Sequence, residues 1–80
     1  MAVTLVFLGK LADLAGAPEL QVAGPLDWSA LLAALPAPVA EAAKGQRVKL
    51  ALNGSVVGNK ATLSAKDGDE IALLPPVSGG

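Results

Sequence analysis

The 80-residue chain contains no cysteine and no histidine. The first absence excludes disulfides, and the two together exclude any thiolate or imidazole metal site. They also remove the usual general bases and nucleophiles, so Ser29, Ser55, Ser64 and Ser78 have no imidazole to activate them. No glycine-rich pattern precedes a helix, so no nucleotide-binding loop is expected. Neither sign of charge prevails: six basic and seven acidic residues give a formal net charge of −1. That balance is no footprint for nucleic acid or an anionic membrane. The longest apolar stretch on a helical segment is interrupted by Pro36, Pro38 and Glu41, so no membrane span is expected. Val3 to Leu8 is apolar but has no basic flank before it, and Lys10 and Asp13 follow, which argues against a secretory leader. The lack of cysteine is compatible with a cytoplasmic location.

What remains is a core and a tail. A chain this short makes one domain, which buries only ~60% of its unfolded surface. Its 52% hydrophobic content must supply the whole core. Val3 to Leu8 is apolar on both faces and β-branched, the mark of a central strand. Leu11, Leu14 and Ala15 keep helical spacing from Lys10 up to Gly16, which is placed as a helix stop. Glu19 to Ala23 alternates as a short strand. Asp27 can cap a helix from about Trp28 to Leu35, whose Trp28, Leu31, Leu32 and Leu35 share one face. Pro36 and Pro38 end that helix, and Val39 to Lys44 can add another turn before Gly45. Val48 to Leu52 alternates as a half-buried strand, Asn53-Gly54 signals a hairpin, and Ser55 to Val57 begins the return. Gly58 to Lys66 reads as irregular, with Leu63 tucked under. Asp67-Gly68-Asp69 is a turn into a final strand, Glu70 to Leu74. The expected fold class is α+β: a small mixed sheet crossed by one main helix, with the first and last strands paired in its middle. The body spans residues 1–74 and a tail 75–80.

Candidate chemistry falls outside the body. Asp67, Asp69 and Glu70 offer too few oxygens for a calcium loop and read as a turn and a solvated strand start. Lys10, Lys60 and Lys66 read as solvated surface. In the tail, Pro75 and Pro76 stop sheet pairing and start a stiff extended segment. Val77 gives an apolar foothold. Ser78, Gly79 and Gly80 then project, flexible and slim enough to lie in a slot closed to bulkier residues. An end of this kind suits a C-terminal carboxylate that is itself the reacting group. A carboxylate is a poor electrophile and needs activation, most simply as an acyl-adenylate. With no nucleotide loop here, a partner enzyme must use the ATP, and the chain is a carrier rather than a catalyst. Leu74 breaks the polar face of the last strand beside the tail. With Val6, Leu8 and Val56 it can form an apolar docking patch.

The chain resembles the small, sulfur-carrier subunit of molybdopterin synthase, the MoaD family, over essentially its whole length. The likeness is most specific in Leu52-Asn53-Gly54, in Lys66-Asp67-Gly68-Asp69-Glu70-Ile71 and in Leu73-Leu74-Pro75-Pro76-Val77-Ser78-Gly79-Gly80. Phe7-Leu8-Gly9-Lys10-Leu11-Ala12-Asp13-Leu14-Ala15-Gly16 is also similar to the family's first strand and short helix. This resemblance implies a β-grasp, ubiquitin-like fold ending in a flexible diglycine tail. It implies that Gly80, next to Gly79, is adenylated by an E1-like, MoeB-like enzyme and converted to a thiocarboxylate by a sulfur donor. The tail then enters the large catalytic subunit and delivers sulfur to precursor Z (cyclic pyranopterin monophosphate). The synthase is a heterotetramer with two copies of each subunit. Leu8, Val56, Leu74, Pro75, Pro76, Val77 and Ser78 carry the implied partner contacts; no cofactor or metal is implied for this chain itself. Leu73 and Leu74 stand where the family often has aromatics, which leaves a smaller apolar surface. The rival readings are a ThiS-like carrier for thiamin thiazole synthesis, a ubiquitin-like modifier joined to target lysines, and an interaction domain with an inert tail.

Overall fold

A computed structural model describes residues 2–76. Three strands open the chain: β1 (Val3–Phe7), β2 (Glu19–Val22) and β3 (Leu26–Asp27), with α1 (Lys10–Ala15) between the first two. Two helices follow, α2 (Trp28–Ala34) and α3 (Ala37–Lys44). Then come β4 (Lys49–Leu52), β5 (Ser55–Val57), a 3₁₀ turn over Lys60–Thr62, β6 (Ser64–Ala65) and β7 (Glu70–Leu74). The main sheet has the order β2-β1-β7-β4-β5, and β3 pairs with β6 in a small second ladder. β1 and β7 run parallel at its centre, Leu5 opposite Ile71 and Phe7 opposite Leu73; the other ladders are antiparallel. The expected pairing of the first and last strands is what forms.

Period-two alternation puts one face of this sheet in the core. Val3, Leu5, Ile71, Leu73 and Leu50 are wholly buried there, with Phe7 nearly so. Leu11 of α1, Leu31 and Leu35 of the α2 segment, and Val39 and Ala43 of α3 complete the cluster. Full burial of an aliphatic side chain contributes about 1.5–3 kcal/mol, so this layer contact is the fold's main stabilising element. The local signals act as expected. Gly16, at φ 77°, turns its N–H back to the carbonyls of Ala12 and Asp13. Asp27 accepts from the Ala30 N–H at 2.8 Å. Asn53 (φ 49°) and Gly54 (φ 87°) make the β4–β5 turn in the left-handed conformation a two-residue hairpin needs.

Three features go beyond the sequence reading. The helical layer is divided at Leu35-Pro36, and the second part is a full eight-residue helix rather than an added turn. Leu35 precedes a proline and is extended. Pro36 and Pro38 then start α3, because the first turn of a helix needs no N–H donor. The Gly58–Lys66 stretch is more ordered than expected: it holds the 3₁₀ turn and β6, with Leu63 buried as anticipated. Lys60, expected in solvent, is half-buried and donates to the carbonyls of Ala43 and Gly45, both at 2.7 Å. It leaves solvent because the carbonyls at the end of α3 lack helical partners and an ammonium satisfies two of them.

Candidate functional site

Helices cover one face of the main sheet; the register defines the other. Val6 of β1 lies opposite Ala72 of β7, Ala72 opposite Ala51 of β4, and Ala51 opposite Val56 of β5. These four residues form an apolar row across four adjacent strands. Val56 at its edge is 63% exposed, whereas Ala51 is only 7% exposed beneath its neighbours. One step toward the C-terminal end of β7 is Leu74, half-buried and paired with Lys49. Leu8, 42% exposed, leaves β1 at this same end, its N–H reaching the Leu73 carbonyl at 3.4 Å. At the opposite end the outward row is polar, with Thr4 beside Glu70. The apolar strip therefore runs toward the end of the sheet from which the tail departs.

Pro75 and Pro76 follow Leu74 and join no ladder, as their missing N–H groups require. Pro75 is half-buried, and its seat is Gly9. Gly9 has φ 55° and ψ −131°, and a Cβ placed on it meets the Pro75 Cγ at 3.3 Å. The structure thus gathers Leu8, Leu74 and Pro75 at the tail root and sets Val56 on the same face two strands from β7. Val77, Ser78, Gly79 and Gly80 lie outside the described residues. The sequence reading missed Ala51 and Gly9. Ala51 closes the gap between Ala72 and Val56, and the pairing of its strand was its only signal. Gly9 carried no signal, because its contact lies across the fold.

Several polar groups of the body have structural partners. The Asp67 carboxylate accepts from the Gly24 N–H at 2.8 Å. Asp69 accepts from the Lys66 N–H at 3.0 Å and from the Asn53 side-chain amide at 3.1 Å. The Lys66 N–H first, and Asn53 second, hold its carboxyl below the usual carboxylate range. Burial, and then the nearby Lys49 charge, lower the pKa of the Lys60 ammonium, which stands 5.6 Å from the centre of the Trp28 ring. Among the described residues no acidic cluster is placed to hold a metal ion, and none of the buried side chains is polar. No helix there is long and apolar enough to cross a membrane. The distinctive feature is an apolar face that runs to Pro75 in its seat on Gly9, an arrangement suited to docking on a protein.

Comparisons with known proteins agree with this geometry. The model of the ThiS family matches residues 5–80. No curated protein sequence matches. Among solved structures, a chain from the complex of subunits 1 and 2 of molybdopterin-converting factor from Helicobacter pylori is 30% identical, with a TM-score of 0.69 and 100% of each chain covered. Small archaeal modifier protein 1 from Methanosarcina acetivorans is 27% identical, with a TM-score of 0.75, covering 99% of this chain and 96% of that one. A candidate molybdopterin converting factor subunit 1 from Pyrococcus furiosus is 25% identical, with a TM-score of 0.72, covering 96% of this chain and 99% of that one. The β-grasp, ubiquitin-like architecture is common to them.

Proposed function

The chain belongs to the ThiS family, and from that premise we propose that it is the sulfur-carrier small subunit of molybdopterin synthase. In this reading the carboxyl of Gly80 is the working group. A MoeB-like partner joins it to AMP from ATP and releases pyrophosphate. A sulfur donor then displaces AMP, leaving a thiocarboxylate. The large synthase subunit receives the tail and passes the sulfur to precursor Z, in a complex with two copies of each subunit. The chain contributes no catalytic side chain and no cofactor of its own. Its place of work is the cytoplasm.

The observation that carries this reading is the apolar strip from Val56 through Ala51 and Ala72 to Leu74, which leads to the tail root at Pro75. Docking on such a face holds the tail beside its acceptor, and tethering replaces diffusion of free sulfur with an intramolecular step. The Helicobacter pylori relative, a subunit 1 to subunit 2 complex, supports a partner of this kind. The likeness to an archaeal modifier protein favours a second reading, in which the same activated carboxyl forms isopeptide bonds with lysines. The family match leaves a thiamin-pathway carrier as the nearer alternative.

The test is intact mass after incubation with ATP, the cognate activating enzyme and a sulfur donor. Exchange of one oxygen for sulfur at Gly80, followed by conversion of precursor Z with the large subunit, is the expected result. Thiocarboxylate that serves only a thiazole synthase, or thiol-resistant conjugates without a thiocarboxylate, defeats it.

A further inference from the structure

We propose that Gly9 is a positioning residue that sets the direction in which the tail leaves the body. The proposal rests on the carrier reading above, since it concerns how the tail meets its partner. Three observations carry it. First, Gly9 is fixed from both sides: β1 ends at Phe7, and the carbonyls of Leu8 and Gly9 accept from the N–H groups of Leu11 and Ala12, each at 3.1 Å. Second, its φ of 55° with ψ −131° is a conformation side chains rarely adopt. Third, the Pro75 ring lies against it so closely that an added Cβ meets Cγ at 3.3 Å. Pro75 has its own φ locked by the pyrrolidine ring. A rigid ring on a rigid seat fixes the course of the chain through Pro75 and Pro76. A side chain at position 9 tilts that course at its origin.

The experiment is a double-mutant cycle with Gly9→Ala and Pro75→Ala in the full chain. It reads thermal stability, and kcat/KM for ATP-dependent adenylation by the activating enzyme. Gly9→Ala is expected to remain folded and to lower kcat/KM about tenfold or more, the scale on which misplacement of a reacting group acts. Pro75→Ala removes the ring and lowers it several-fold. Added to Pro75→Ala, Gly9→Ala should cost no more than about a further twofold, because the two act through one contact. An equal cost in both backgrounds overturns the proposal. Where Gly9→Ala does not fold, unchanged kcat/KM in Pro75→Ala alone overturns it. A nuclear Overhauser contact between the Gly9 Hα and Pro75 Hγ protons in the unaltered protein checks the seat without any partner, and its absence also overturns the proposal. Failure of the unaltered protein to be adenylated counts against the carrier reading instead, while the proton contact still judges the seat.

Discussion

The ammonium of Lys60 holds the C-terminal end of α3 through the carbonyls of Ala43 and Gly45. It stands where the negative end of the helix and its unpaired carbonyls meet. Lys60→Met keeps an aliphatic stem of similar length and removes both charge-assisted bonds. The expected cost is about 1–2 kcal/mol, a fall in Tm of roughly 5–15 °C for a domain of this size. Thermal unfolding followed by circular dichroism checks it, and an unchanged Tm refutes the capping role. Nothing in the sequence near Lys60 announces this. Its two acceptors lie 17 and 15 residues away, and a lysine between Asn59 and Ala61 has the composition of a solvated loop. Asp27 was legible because its partner is three residues on, within the reach of a local rule. Single-residue roles are readable in sequence where the partner is a near neighbour and opaque where the fold supplies it.

Two turns are fastened together at the start of β7. The Asn53 N–H donates to the Glu70 carbonyl at 2.8 Å and its side-chain oxygen accepts from the Glu70 N–H at 2.9 Å. The Asn53 amide also donates to Asp69, whose carboxylate accepts from Lys66 as well. Both donors favour the ionised carboxylate, so the folded pKa of Asp69 lies below its unfolded value. The resulting stability is present above the usual carboxylate pKa and is lost as pH falls through the lowered value. Asp69→Asn should therefore be less stable than the parent at neutral pH, with the gap closing in acid. Urea midpoints at neutral and acidic pH measure this, and a gap independent of pH refutes it. At this scale most elements were legible. The hairpin, the final turn and the long strands each have dense local signals. The β3–β6 pair was not, because two-residue strands have no periodicity to read. The extent of α3 is not legible, because a proline that breaks a helix interior also fits its first turn, where Pro38 sits.

At the scale of the molecule, the sheet is covered on one face and bears a row of small and aliphatic side chains on the other. Among the described residues, Val56 is the most exposed large hydrophobic and lies outside the core cluster. If the proposed function holds, Val56→Lys should weaken binding to the large synthase subunit about tenfold or more and change stability by less than about 0.5 kcal/mol. Titration calorimetry beside a melting curve separates the two effects, and undiminished binding removes Val56 from the interface. The central pairing of β1 and β7 was legible, since both are strongly apolar runs, as central strands are. The continuity of the outer strip was not, because it depends on which residue of β4 stands beside Ala72.

The placement of β7 has a mechanical consequence. The strand that bears the tail is the third of five, bonded to β1 on one side and β4 on the other. A tug on Pro75 along the strand axis loads both ladders at once. Their bonds lie across the pull and must slide and rupture together rather than peel apart one by one. Force drawn through Pro75 is thus borne by a strand held on both sides.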